Sequence, residues 1–211
     1  GKTVQVLAHI VAARQRRQLR EPVLVVAPTS LVGNWRDEAA RFAPQLKVLV
    51  IHGPDRADRY DEIAGHHLVI TTYPLLPRDK EQLLEQKFSL LVLDEAQAIK
   101  NPRSQAARVV RELHAERRLA MTGTPLENHL GELWAQFDAV EPGLLGGHKQ
   151  FTKLYRTPIE KHGDSERQQR LNRRIGALLL RRSKGQVLKD LPAKNEIVRT
   201  LELEGGQTQR L

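Results

Sequence analysis

Ser89-Leu90-Leu91-Val92-Leu93-Asp94-Glu95-Ala96-Gln97 is the stretch on which the reading of this chain turns. An aliphatic run that ends in two adjacent carboxylates has the pattern of a buried strand delivering Asp94 and Glu95 at its carboxyl end. The first carboxylate is then placed to hold Mg²⁺, and the second to orient or deprotonate a water. The chain also opens on Gly1-Lys2-Thr3, the last three residues of the phosphate-loop pattern G-x-x-x-x-G-K-[ST]. Alone the tripeptide is a weak match, but upstream of a strand-borne Asp-Glu pair it acquires a role. Lys2 can reach β- and γ-phosphates and the Thr3 hydroxyl can bind Mg²⁺. Val4, Leu7, Ile10 and Val11 follow at the spacing of a helix packed on a sheet. The chemistry expected is ATP hydrolysis with Mg²⁺.

Outward from this strand, similar runs recur at Val23 to Ala27, Val48 to His52, Leu68 to Thr72, Leu90 to Asp94 and Leu119 to Thr122. Helical stretches lie between them, among them Leu31 to Phe42 and Ser104 to Ala115. The alternation predicts an α/β fold with a mostly parallel sheet flanked by helices. Ligands of such a sheet bind at the carboxyl ends of its strands. Each polar segment of interest follows a strand: Pro28-Thr29-Ser30, Thr71-Thr72-Tyr73, Asp94-Glu95 and Thr122-Gly123-Thr124-Pro125. A further helix is expected from Leu126 to Val140, with Thr122 or Thr124 able to cap it. Pro102 reads as the first residue of the helix beyond Asn101.

After Trp134 the sheet pattern stops, and Pro142, Gly143, Gly146 and Gly147 mark a break. A basic helical annex follows, with Leu171, Ile175, Leu178 and Leu179 at helical spacing in Arg167 to Leu180. Residues 1–150 hold 20 Lys and Arg against 18 Asp and Glu, whereas residues 151–211 hold 14 against 7. The net charge of +9 is therefore mostly C-terminal, and a polyanionic partner is expected. The sequence has no cysteine, which excludes disulfides and thiolate metal sites. Its eight histidines lack metal spacing, and His66-His67 reads as a loop feature. No signal peptide or membrane-length apolar run is visible. At 211 residues one sizeable core with a small appendage is expected. A chain that opens inside a phosphate loop is also expected to be part of a longer protein.

Four ordered segments carry a family resemblance. Pro28-Thr29-Ser30-Leu31-Val32-Gly33-Asn34-Trp35, Asp94-Glu95-Ala96-Gln97-Ala98-Ile99-Lys100-Asn101, Thr122-Gly123-Thr124-Pro125-Leu126-Glu127-Asn128 and Leu180-Arg181-Arg182-Ser183-Lys184 resemble the Swi/Snf family of DNA-dependent ATPases in helicase superfamily 2. The likeness implies a RecA-like P-loop NTPase lobe over residues 1–145, lacking its first strand and the start of its phosphate loop. Residues 146–211 would be the basic helical annex and the start of the link to a second RecA-like lobe.

Residue by residue, the resemblance implies that Gly1, Lys2 and Thr3 close the phosphate loop, that Asp94 and Thr3 serve Mg²⁺, and that Glu95 activates water. Gln97 stands where many relatives have His; it relays hydrogen bonds without titrating near neutral pH. Thr122 and Thr124 match the motif coupling nucleotide state to the nucleic-acid path. Thr29, Ser30, Asn34 and Trp35 in one loop, and Thr71, Thr72 and Tyr73 in another, match segments that touch the DNA backbone. Such contacts set register without reading sequence. For Trp35 a packing role is favoured over a stacking platform, since aromatics make up only 4% of the chain. Lys100 is a candidate phosphate contact. Arg181 and Arg182 look like the brace crossing to the second lobe, although Gln186 departs from the acidic residue usual there.

The function implied is that of the ATP-binding lobe of a Swi/Snf-like double-stranded-DNA translocase, with ATP and Mg²⁺ as cofactors. Its partners would be duplex DNA, the second lobe and a protein target on DNA, with no membrane. Alone, without arginines from the second lobe, it is expected to be nearly inactive. The localisation implied is cytoplasmic and nucleoid-associated in a bacterium, nuclear in a eukaryote. An RNA helicase lobe of the same superfamily and a catalytically inactive nucleic-acid-binding module are the alternatives.

Overall fold

The computed structural model describes residues 1–123 and 130–181. Two compact units are distinguished, Gly1–Gln169 and a second beginning at Arg170. The first is built on five parallel strands: β1 (Val23–Ala27), β2 (Val48–Val50), β3 (Leu68–Thr72), β4 (Lys87–Leu93) and β5 (His114–Ala120), in the order β2-β3-β1-β4-β5. Helices α1 (Lys2–Gln15), α2 (Val32–Phe42), α3 (Lys80–Leu84), α4 (Gln105–Glu112) and α5 (Leu130–Val140) alternate with them. Beyond α5 come α6 (His148–Phe151), a π-helical turn (Thr152–Arg156), α7 (Thr157–His162) and α8 (Ser165–Gly176).

Successive side chains of a strand point to opposite faces, and here both faces are covered. Val23, Val25 and Ala27 of β1 join Leu68, Ile70 and Val92 in one core with Val6, Leu7 and Ile10 of α1 and Trp35 and Ala39 of α2. Leu24, Val26, Val69, Leu91 and Leu93 point the other way, into a core with Val109 and Val110 of α4 and Ala139 of α5. Strands buried on both faces read as unbroken aliphatic runs; hence β1 and β3 match the expected ranges residue for residue.

Elsewhere the structure corrects the reading. β2 stops at Val50, and β4 begins three residues earlier than expected and stops before Asp94. The strand expected at Leu119 to Thr122 is instead His114–Ala120, so the helix expected to run to Ala115 ends at Glu112. Among the described residues β5 pairs on one side only, with β4. An outer strand tolerates charge; Glu116, Arg117 and Arg118 therefore hid it, and Leu119 is 37% exposed although its partner Val92 is buried. Pro102 sits in a turn, and α4 starts at Gln105 with the Ser104 hydroxyl accepting from the Ala107 amide as its N-cap. Residues Pro54–Gly65 form 3₁₀ turns, tied down where Arg56 donates twice to Asp79, at 2.8 and 3.0 Å. The break after α5 is present, with positive φ at Gly143 and Gly146. α8 ends at Gly176 rather than Leu180, leaving Leu178, Leu179 and Leu180 exposed. Among the described residues, no helix is long and apolar enough to cross a membrane.

Arg118 fastens this side of the sheet. Its guanidinium donates to the carbonyls of Val110, Arg111 and Leu113 at the end of α4 and of Ala139 at the end of α5, at 2.8 to 3.2 Å. Helix C-termini leave carbonyls unpaired and carry partial negative charge, which a planar cation satisfies. Burial lowers the guanidinium's pKa from its ordinary value, opposed by the charge of Glu141. Arg118→Met is expected to lower the unfolding free energy in urea by about 2 to 3 kcal/mol, and Arg118→Lys to recover little of it. A loss below about 0.5 kcal/mol would show that water replaces the guanidinium without cost.

Candidate active site

The chain leaves β1 toward β2 on one side of the sheet and leaves β4 toward β5 on the other. A crevice at the carboxyl ends of β1 and β4 is the outcome of that reversal. Asp94 follows β4 directly and is 7% exposed. Its Oδ2 accepts a hydrogen bond at 2.8 Å from Nε1 of Trp35, and its Oδ1 accepts one at 2.9 Å from the amide of Glu95. Its own amide donates to Val26 O, and its carbonyl accepts from the Tyr73 hydroxyl at 2.8 Å. Burial first, then the charges of Asp94 and Glu95, push the Tyr73 phenol far above its ordinary pKa and keep it a donor.

Glu95 adopts the left-handed conformation, φ 46° and ψ 55°. For a residue with a Cβ this costs about 1–2 kcal/mol. The turn is tight enough to bring its carboxylate to Gln97, whose Nε2 donates to Oε2 at 2.7 Å. The Thr122 hydroxyl in turn donates to Oε1 of Gln97 at 2.9 Å, and the Gly123 amide reaches Glu95 Oε2 at 3.3 Å. Hydrogen bonds therefore run in a continuous line from Thr122 after β5 through Gln97 to Glu95. Lys2 stands at the same place: a methyl on Gly123 would lie 3.7 Å from Lys2 Nζ and 3.8 Å from Glu95 Oε2. Gly1 is the N-cap of α1, with no side chain capping its free amides. A lysine, a helix N-terminus, a hydroxyl at Thr3 and two carboxylates form a donor set that suits a Mg²⁺-bound triphosphate.

Other candidates are distributed differently. Thr29 and Ser30 are exposed in a 3₁₀ turn after β1, but Asn34 and Trp35 belong to helix α2 rather than to a loop. Asn34 is exposed and donates to Glu38, whereas Trp35 is fully buried, as a packing role requires. Thr71 and Thr72 lie within β3 and are buried, the Thr71 hydroxyl donating to the Ile51 carbonyl. Their side chains therefore do not reach the surface. Lys100 is exposed, pairs with Glu132 at 3.7 Å and lines a cavity of about 310 Å³ with Asn101 and Arg156. Arg181 is exposed in the second unit, and Thr124 and Arg182 lie outside the described residues. The indole bond to Asp94, the Tyr73 bond and the left-handed Glu95 were not anticipated from the sequence.

Residues 1–210 match the SNF2-related domain. The chain belongs to the SNF2-related family. It is 38% identical over 98% of its length to YwqA of Bacillus subtilis, which bears the name of an ATP-dependent helicase/translocase. To a chromatin-remodeling ATPase, INO80 of Arabidopsis thaliana, it is 36% identical over 98% of its length. It spans only 23% and 15% of those two relatives. The Sulfolobus solfataricus SWI2/SNF2 ATPase core in complex with double-stranded DNA superposes with a TM-score of 0.82 at 36% identity, over 91% of this chain and 40% of that one. A second structure of the Sulfolobus solfataricus SWI2/SNF2 ATPase core domain gives a TM-score of 0.79 at 37% identity, over 91% of this chain and 39% of that one. The sheet of this SNF2-related chain is thus that of a RecA-like lobe.

Strain at Glu95 has a measurable sign. Glu95→Gly is expected to leave stability unchanged or raise it by up to about 1 kcal/mol in chemical denaturation, since glycine adopts the left-handed turn freely. A loss of more than about 1 kcal/mol would mean that the Gln97 and Gly123 bonds outweigh the strain.

Proposed function

We propose that this SNF2-related chain is the ATP-binding lobe of a double-stranded-DNA translocase, coupling ATP hydrolysis to movement along DNA or to remodelling of protein–DNA complexes. The observation that carries the proposal is the hydrogen-bonded line Thr122–Gln97–Glu95 beside Lys2 and Asp94. It joins a water-activating carboxylate to the end of a neighbouring strand, as an ATPase coupled to another site needs.

In this reading Lys2, Gly1 and the first amides of α1 hold phosphate oxygens, while Thr3 and Asp94 hold Mg²⁺. When bound, Mg²⁺ would neutralise charge developing on the β- and γ-phosphate oxygens. Glu95 accepts the proton of the attacking water, and Gln97 keeps its carboxylate turned toward that position. Because a carboxamide does not titrate, this alignment persists across neutral pH. Thr122 and Thr124 report nucleotide state to the nucleic-acid path. The exposed Thr29, Ser30 and Asn34, with Lys100, contact phosphates; Thr71 and Thr72 support that face from beneath. The double-stranded DNA of the archaeal complex supports duplex DNA as the partner.

Residues 1–145 are assigned to the lobe and 146–211 to the basic annex and link, with Arg181 and Arg182 bracing the second lobe. The protein would work in the cytoplasm, on the nucleoid, in a bacterium, or in the nucleus of a eukaryote. The full-length protein is expected to hydrolyse ATP with strong stimulation by duplex DNA, and Glu95→Gln to lower that rate at least about 10²-fold. Stimulation by duplex RNA alone would make the lobe an RNA helicase's, and turnover indifferent to Glu95→Gln would remove the assigned chemistry.

A further inference from the structure

Trp35 and Asp94 are 59 residues apart, yet the indole N–H is aimed at one carboxylate oxygen at 2.8 Å inside the protein. Trp35 has no exposed surface, and Asp94 is 7% exposed. A phenylalanine or leucine would also fill an apolar core at this position; neither would offer a donor. A carboxylate withdrawn from water requires hydrogen bonds, and an indole N–H withdrawn from water requires an acceptor. The two needs are met by each other. The remaining oxygen is set locally, by the Glu95 amide at 2.9 Å. One oxygen of Asp94 is thus oriented by the turn after β4 and the other by helix α2. The Tyr73 hydroxyl holds the main chain of the same residue from the end of β3. Trp35 lies one turn into α2, directly after exposed Asn34 and shortly after exposed Thr29 and Ser30. The same short segment therefore presents polar groups outward and a fixed donor inward.

We propose that Trp35 is a positioning residue for Mg²⁺: its N–H fixes the rotation of the Asp94 carboxylate, so that helix α2 sets the metal affinity of the nucleotide site. This rests on reading Asp94 as a Mg²⁺ partner. Hydrogen-bond partners that orient a ligating carboxylate typically change metal affinity by about 10- to 100-fold.

The test is Mg²⁺ titration of the binding of a fluorescent, non-hydrolysable ATP analogue to the full-length protein. Trp35→Phe is compared with Trp134→Phe, because Trp134 is also buried and donates Nε1–H to a carbonyl, that of Gly146, at 2.9 Å. In Trp35→Phe the Mg²⁺ concentration for half-maximal binding is expected to rise about tenfold or more, while nucleotide binding in excess EDTA stays as in wild type. In Trp134→Phe it is expected to stay within about twofold of wild type. If Trp35→Phe does not fold, benzothienylalanine at position 35, which replaces the N–H by sulfur at the same shape, is expected to give the same rise. An unchanged Mg²⁺ requirement, or an equal loss with and without Mg²⁺, would overturn the positioning role while leaving the nucleotide site intact. Absence of Mg²⁺-dependent nucleotide binding in the wild type would instead remove the nucleotide site itself, and the role of Trp35 with it.

Discussion

A carboxylate with 7% of its surface in water must find donors within the protein, and Asp94 finds them on two sides. Meeting that demand fixes more than one side chain. Trp35 has to lie inward from α2, which places the outward face of that helix at Asn34. Tyr73 has to turn back from β3 to the Asp94 carbonyl. The backbone then has to reverse at once, and Glu95 enters the left-handed region to do it. Its carboxylate is thereby delivered to Gln97 and Gly123. The strain at Glu95 is small against the hydrophobic burial of two covered sheet faces, which is what keeps the turn in place.

The topology explains why this happens between β1 and β4. Their following segments depart in opposite directions, which leaves a crevice at the strand ends. Contributions from α1, α2, β4 and β5 meet there although their residues span the chain from Lys2 to Gly123. The cavity lined by Lys100 and Arg156 does not include Lys2, Asp94 or Glu95 in its wall.

What could be read from the sequence follows from how each element earns its burial. β1 and β3 are covered on both faces and consist of uninterrupted apolar or β-branched residues, so their limits were legible to the residue. Among the described residues β5 pairs on one side only, and it carries Glu116, Arg117 and Arg118, so its first two residues read as the end of a helix and its strand as starting only at Leu119. Asp94, Glu95 and Thr122 were candidates because polar residues directly after strands carry a positional meaning, and Gln97 because of the resemblance; the structure joins Glu95, Gln97 and Thr122 by hydrogen bonds. Trp35 was read as packing, which it is, but its bond to Asp94 depends on two elements crossing in space, and no local signal encodes it. The left-handed Glu95 was likewise hidden, since the residue expected in such a turn is glycine. Thr71 and Thr72 show the opposite failure: a segment matched by resemblance whose hydroxyls are buried here.

Membership of the SNF2-related family, a RecA-like sheet and a hydrogen-bonded carboxylate support the proposal of a motor lobe. Hydrolysis alone would not distinguish a motor from a switch, and the central claim is movement along duplex DNA. Displacement of a labelled third strand from a DNA triplex by the full-length protein, with ATP and with a Glu95→Gln comparison, tests it most directly. ATP-dependent displacement is expected of the wild type and none of Glu95→Gln. Hydrolysis of ATP on the same DNA without displacement would contradict it.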